Sequence, residues 1–299
     1  MTLHCEELRE QLLPRLHAWG RHGIHFGLSP RSSLAWEGLF DRREANRAAS
    51  YSKVCDTALL HVGPSHVPDT AALAQLRREM HDGFGWTVLV ESDHMFYRFP
   101  YSHPERGKRG ALNPAFLDPD GVRAAVAPLL QHLRPRVIVL RIGPIYRTEA
   151  FRFEEFHEAL MCCLDALLPG CRYGVEIASP EFVLPMYLES LRRRDIAHVL
   201  SGPSLPDAVG IPGALSAGVC MLRSGCLAAE EEGDEWLAVR RSIRLCLEEG
   251  KTLYAYLNDG TEEGREEMKR GEGGERLVRL LAELDVDLAR RSPIKRRAA

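Results

Sequence analysis

Val137-Ile138-Val139-Leu140-Arg141-Ile142 and Arg172-Tyr173-Gly174-Val175-Glu176-Ile177 are two short runs dominated by apolar residues, and the segment between them has another character. There Phe153, Phe156, Leu160 and Leu164 recur at helical spacing, with charged residues on the opposite side. A buried strand, an amphipathic helix and a second buried strand make a βαβ unit, whose two strands run parallel.

Read outward from this unit, the alternation continues in both directions. Ile24 to Leu28, Thr57 to Val62 and Thr87 to Glu91 are strand-like runs before it; Ala197 to Leu200, Gly218 to Leu222 and Leu253 to Leu257 follow it. Helical spacing returns between them, in Leu73, Leu76 and Met80, in Val122, Val126, Leu129 and Leu133, and in Trp236, Val239, Ile243 and Leu247. The connection from Ala197 to Gly218, rich in Pro and Gly, predicts no regular helix. Eight such strands predict an α/β protein with a single (β/α)8 TIM-type barrel over residues 23–289, a fold that commonly uses about 250 residues. Leu8, Leu12, Leu16 and Trp19 place an N-terminal helical extension, residues 1–22, against the outside of that barrel. Residues 290–299 read as a basic, solvated tail.

Composition narrows the function classes. With 299 residues, 45% hydrophobic and 27% charged, the chain is of ordinary globular type, and its net charge of -3 gives no overall attraction to nucleic acid or to an anionic membrane. Glu6, Glu7, Arg9, Glu10 and Arg15 break up the leucines at the start, so no signal peptide or membrane span is expected there. Eight cysteines without a C-x-x-C pair suggest reduced thiols, and a cytoplasmic location is expected.

A TIM barrel carries its site at the C-terminal ends of its strands. The polar residues there, in strand order, are Ser29, His61, Glu91 with Asp93 and His94, Arg141, Glu176, Ser201, Arg223 and Asn258 with Asp259. Glu176 interrupts an otherwise apolar strand, and an unpaired buried carboxylate is rarely kept for packing alone, so Glu176 and Glu91 are the catalytic candidates. Arg141, Arg223, Asn258, His61 and His94 are candidate ligand contacts. If Glu91, Arg141 and Glu176 all point inward, the arginine stands between two carboxylates that are otherwise roughly 10 Å apart. No cofactor is expected; a divalent metal held by His61, His94, Asp93 and the glutamates is the minor alternative, since no short His pair supports it. The long segment from Ser92 to Pro119 holds Asp93, Arg98, His103, Arg106, Lys108 and Arg109, and is expected to cover the mouth as a mobile loop.

Several short stretches, in order along the chain, carry a resemblance. Trp36-Glu37-Gly38-Leu39-Phe40 is similar to a W-x-G-x-F-Y segment, with Asp41 in place of the tyrosine. Arg172 to Ile177 resembles an r-y-a-v-E-v strand, Val183-Leu184-Pro185-Met186-Tyr187 the helix that follows it, and Leu253 to Gly260 a final y-v-y-f-N-N strand. These are features of the YecE-like family, known also as domain of unknown function 72. The resemblance implies a TIM-type barrel, an activity that the family leaves open, and a place for Trp36 among the ligand contacts. Where the family pattern has an acidic residue on the second strand this chain has Leu59, where it has lysine on the third Glu91 stands, the fourth-strand glutamine is Arg141, and the arginine after the fifth falls on Ala178 or Ser179.

The leading expectation is a barrel that binds, or hydrolyses, a small or extended anionic ligand such as a phosphate-bearing sugar or nucleotide. Arg141 and Arg223 would hold the anion and Glu176 would act as acid or base. Contact with nucleic acid stays open, and no protein partner is indicated. The alternative is a catalytically silent barrel that serves as a binding or interaction module, to which the departures at Leu59, Glu91 and Ala178 point.

Overall fold

The computed structural model describes residues 5–28, 51–64, 69–145, 152–201, 215, 217–225, 233–257 and 272–291. Eight strands fall on the apolar runs: β1 (Ile24–Leu28), β2 (Thr57–Val62), β3 (Gly85–Val90), β4 (Val137–Ile142), β5 (Arg172–Ile177), β6 (Ala197–Ser201), β7 (Val219–Ser224) and β8 (Thr252–Leu257). All pairs are parallel, and the sheet runs β1-β8-β7-β6-β5-β4-β3-β2, so its two edges, β1 and β2, meet and complete the (β/α)8 barrel. Ser201 and Ser224 extend the sixth and seventh strands beyond the expected ends, because Ser201 pairs with Arg223 and Ser224 with Leu257.

Side chains on a strand alternate between two faces, and the apolar residues sort accordingly. Leu89, Val139, Val199, Met221, Tyr254 and Tyr256 form one cluster in the lumen, with Leu59 packed against it. Val88, Ile138, Leu140, Val175, Leu200 and Leu222 have the other parity and join the helices in a larger cluster.

The helices are α1 (Cys5–Arg21), α2 (Thr70–Glu79), α3 (Pro119–Pro128), α4 (Phe153–Asp165), α5 (Pro185–Arg193), α6 (Asp234–Glu248) and α7 (Glu272–Arg291). Asp69 caps α2 by accepting from Ala72 N, and Asp118 caps α3 by accepting from Gly121 N, which satisfies amide groups that have no partner inside the helix. The N-terminal helix α1 packs on β1 and α7. Trp19 Nε1 donates to Asp285, Arg15 pairs with the same carboxylate, and a side chain at Gly274 would strike Leu8. Gly274, in the first turn of α7, therefore allows the two helices to approach.

Among the described residues no backbone ladder joins β1 to β2. The Tyr51 hydroxyl serves that seam: it accepts from Leu28 N at 2.7 Å and lies 3.0 Å from Leu28 O and 3.1 Å from Thr57 O. Across it, Thr57 Oγ1 and the Tyr256 hydroxyl are 2.8 Å apart, and the Tyr256 ring fills the space that a side chain at Gly27 would need. His25 also bridges the seam, with Nδ1 2.6 Å from Asp56. Tyr51→Phe is expected to lower stability by about 1–3 kcal/mol in urea unfolding, because it leaves the buried Leu28 amide without this acceptor.

His25 and His198, both on strands, are satisfied histidines. His198 lies outside the lumen against α5, with Nδ1 3.1 Å from the Tyr187 hydroxyl. Burial holds its pKa down to about 4, against 6.5 for a free imidazole. Between these values the unfolded chain binds a proton that the folded chain refuses, so stability falls as pH drops from 6.5 towards 4 and is fully present above 6.5. The loss attributable to this residue is up to about 3 kcal/mol, and unfolding of His198→Gln over the same range is expected to show a correspondingly shallower pH slope.

Candidate functional site

The inward parity that fills the lumen with apolar groups ends, at the C-terminal rim, in charge. His61 on β2, Glu91 just after β3, Arg141 on β4, Glu176 on β5, Ser201 on β6 and Arg223 on β7 follow one another around the mouth. Glu91 stays in register because its amide continues the ladder to Val62 O. His61 Nε2 lies 2.7 Å from Glu91 Oε2, Arg141 Nη1 3.1 Å from Glu91 Oε1, and Arg141 Nε 3.3 Å from Glu176 Oε1. Arg223 then grips Glu176 with two hydrogen bonds, Nη2 to Oε1 at 2.7 Å and Nε to Oε2 at 3.2 Å.

The structure thus places Arg141 between the two carboxylates, as strand register predicted. It places Glu176 and Arg223 differently from expectation. Their strands are separated by β6, but the residue between them is Ser201, small enough for the guanidinium to reach over and itself a hydrogen-bond partner of Glu176. Burial alone would push the Glu176 carboxyl up; the charge and hydrogen bonds of Arg223, with Arg141 and Ser201, outweigh it and hold it below the usual range. Glu176 is therefore an ionised, saturated anchor with no proton to give at neutral pH. Its side chain is 3% exposed and that of Arg223 9%, so the arginine expected to hold a ligand is committed to the protein.

The other half of the ring is more open. The Arg141 side chain is 30% exposed and touches both carboxylates as ion pairs without a hydrogen-bond alignment. Burial raises the Glu91 carboxyl, but the hydrogen bond from His61 and the Arg141 charge together bring it below the ordinary range. An ionised Glu91 only accepts, so His61 Nε2 carries the proton between them. His61 Nδ1 has no partner among the described residues, and the side chain is 28% exposed. Two arginines and two glutamates balance, which leaves the ring neutral when His61 is neutral.

His94 is not in the ring. Its Nδ1 lies 3.0 Å from Ala115 O and its ring covers Gly121 at the start of α3, where a Cβ would clash. Trp36, Ser29, Asn258 and Asp259 lie outside the described residues. The grouping of His61, His94, Asp93 and the glutamates, the minor alternative in the sequence, does not come together: among the described residues, the carboxylate and imidazole atoms that do are those of Asp93, His103 and Glu105. Lys108 Nζ sits between the two carboxylates, 3.0 Å from Asp93 and 2.7 Å from Glu105. Glu105 N donates to His103 Nδ1, leaving Nε2 to donate to Asp93, so the imidazole has no lone pair to offer a metal in this arrangement.

That cluster was missed in the sequence, as was its purpose of holding the segment after β3. Far from an open loop, this segment is cross-linked: Asn113 donates to Asp93 O and Phe96 O and accepts from Ala115 N, Arg98 bridges Leu112, and Met95, Phe96, Phe99 and Leu117 are buried. Gly143 N bonds Met95 O, which seats the segment on the end of β4 beside the ring. No spacing rule links Asp93, His103 and Lys108, so only the fold reveals the contact.

Removing one partner of the buried pair should cost more than removing both. Glu176→Gln is expected to destabilise the protein by about 3–5 kcal/mol in urea unfolding, because it strands the Arg223 charge, whereas Glu176→Leu with Arg223→Met should recover most of that loss.

No sequence-family profile matches the chain, and no curated protein matches it either. Solved structures do. A DUF72 family protein from Enterococcus faecalis superposes with a TM-score of 0.56 at 11% identity, covering 88% of this chain and 98% of that one. A DUF72 family protein from Thermotoga maritima gives 0.56 at 15% identity, covering 88% and 99%. A D-psicose 3-epimerase solved in the presence of D-fructose gives 0.50 at 13% identity, covering 87% and 97%. At these identities the likeness is one of fold, and the fold is the (β/α)8 barrel shared by DUF72 family proteins and a sugar epimerase.

Proposed function

We propose that the chain is a divergent relative of the DUF72 proteins that binds a small anionic ligand, bearing a phosphate or carboxylate, at the open half of the charged ring. The short motifs in order along the sequence and the shared barrel both support that kinship. The observation that carries the ligand reading is Arg141: held in place by two carboxylates, yet partly exposed and without an aligned hydrogen bond to either. A guanidinium so poised offers forked donors to an oxyanion without first leaving a partner.

The chemistry this arrangement favours is proton transfer by His61. Glu91 fixes the tautomer and orientation of the imidazole, and the lone pair on Nδ1 is then available to a bound ligand as a general base. Glu176 and Arg223 hold Arg141 in position. Hydrolysis of a phosphoester or glycoside, or isomerisation beside a carbonyl, is a reaction that such a base can serve. The saturation of Glu176 by Arg223 is the observation that favours the rival, a silent barrel whose ring is structural.

Thermal unfolding with sugar phosphates, nucleotides and small carboxylates separates the two. At a concentration 100 times Kd, one bound ligand adds about 2.7 kcal/mol, so at least one of these is expected to raise the melting temperature by several degrees in the parent protein and not in Arg141→Ala. If every stabilising anion acts equally on both proteins, the mouth is not its site and the silent barrel stands.

A further inference from the structure

The opposite end of the barrel holds a depression of about 680 Å³, a size typical of small-molecule sites. Its walls are the N-terminal ends of four strands and the turns before them. Pro135, Arg136 and Val137 lead into β4, Gly170, Cys171 and Arg172 into β5, and Val219, Thr252 and Tyr254 belong to β7 and β8. Among the described residues two guanidinium groups line it and no carboxylate does, in a chain whose net charge is -3.

Arg172 shares the inward parity of Gly174 and Glu176, so it is the lumen-side residue of β5 at this end. It makes no ion pair and no side-chain hydrogen bond among the described residues. Asp195, whose carboxylate and the Arg172 guanidinium both lie near Gly218, is turned to the Gly218 amide, with Oδ1 2.8 Å from that nitrogen. Tyr254 adds a donor to the same wall: the residue is 6% exposed, its ring is stacked 5.1 Å from that of His25, and its hydroxyl opens into the depression without a hydrogen bond to another described residue. Arg136 is laid across Gly85, where a side chain would collide with its stem, and donates to Gly83 O, so its charge is fixed at the rim.

We infer that this depression is a second ligand site, selective for a small phosphate-type oxyanion, with Arg172 as the principal contact, the Tyr254 hydroxyl as a donor from within and Arg136 as a fixed charge at the edge. It is separate from the ring at the mouth and does not rest on the function proposed for it. Two guanidiniums, a phenol and the Thr252 hydroxyl make a donor-rich wall with no carboxylate among its described lining residues, which suits a doubly charged tetrahedral anion better than a neutral sugar.

Inorganic phosphate tests the inference at low millimolar concentration and constant ionic strength, with chloride as the reference. Phosphate is expected to raise the melting temperature by about 2 °C in the parent protein and equally in Arg141→Ala, and by nothing measurable in Arg172→Met. Amide signals of residues 170–172 should shift during the titration, and Arg136→Met should weaken the response without abolishing it. If phosphate stabilises Arg172→Met as it does the parent, or if the effect disappears in Arg141→Ala, the depression is not the site and the inference falls. Should Arg172→Met fold poorly, the amide shifts in the parent protein decide the question.

Discussion

In a parallel strand every second side chain faces the same way, and most of this molecule follows from that period of two. Closed into a barrel, eight strands have a lumen that must be filled and a mouth where filling stops. Leu89, Val139, Val199 and Met221 fill the first, while the next inward positions in the same strands are Glu91, Arg141, Ser201 and Arg223. A shift of one residue in β3, β4 or β7 would send a charge into the helix layer and an aliphatic group to the rim. The barrel's register and the charged ring are thus one constraint seen at two heights.

Within the ring the charges are arranged so that neighbours alternate in sign, and the arrangement is tighter on one side than the other. Between Glu176 and Arg223 the geometry is bidentate and closed to solvent, which gives rigidity but leaves little for a ligand. Between His61, Glu91 and Arg141 the contacts are more exposed. Because the ring is close to neutral, attraction of an anion there depends on oriented donors at short range and not on a long-range field. The same reasoning separates the far end of the barrel, where Arg136 and Arg172 face a depression that no carboxylate lines.

Two places show how tertiary contacts complete what strand pairing leaves unfinished. At the β1/β2 seam a phenol, a threonine and a histidine–aspartate pair take over from a ladder, and Gly27 is needed because the Tyr256 ring occupies its side-chain space. Above β3 and β4, the segment that sequence alone presents as a long polar loop is held by Asn113, by the Asp93, His103 and Lys108 contacts and by buried aromatic rings. Polarity by itself therefore does not mark a segment as free of contacts: polar groups that find each other cross-link it as buried rings do.

Local pattern was enough to establish the strands, most of the helices, the barrel and the position of Arg141 between Glu91 and Glu176, since each depends on periodicity and on the adjacency of consecutive strands. It was not enough to tell which polar rim residues remain available. Glu176 read as an acid or base because its strand is apolar, yet Arg223, two strands away, saturates it across the small Ser201. His94 stands one residue from Asp93 and three from Glu91, and the turn after β3 carries it away onto Gly121. The seam tyrosine, the Lys108 bridge and the unpartnered Arg172 likewise depend on groups far apart in the chain. A sequence determines which side of a strand a residue occupies, because that is a property of neighbouring residues; whether its charge is spent or free is decided only when distant strands are brought within about 3 Å of one another.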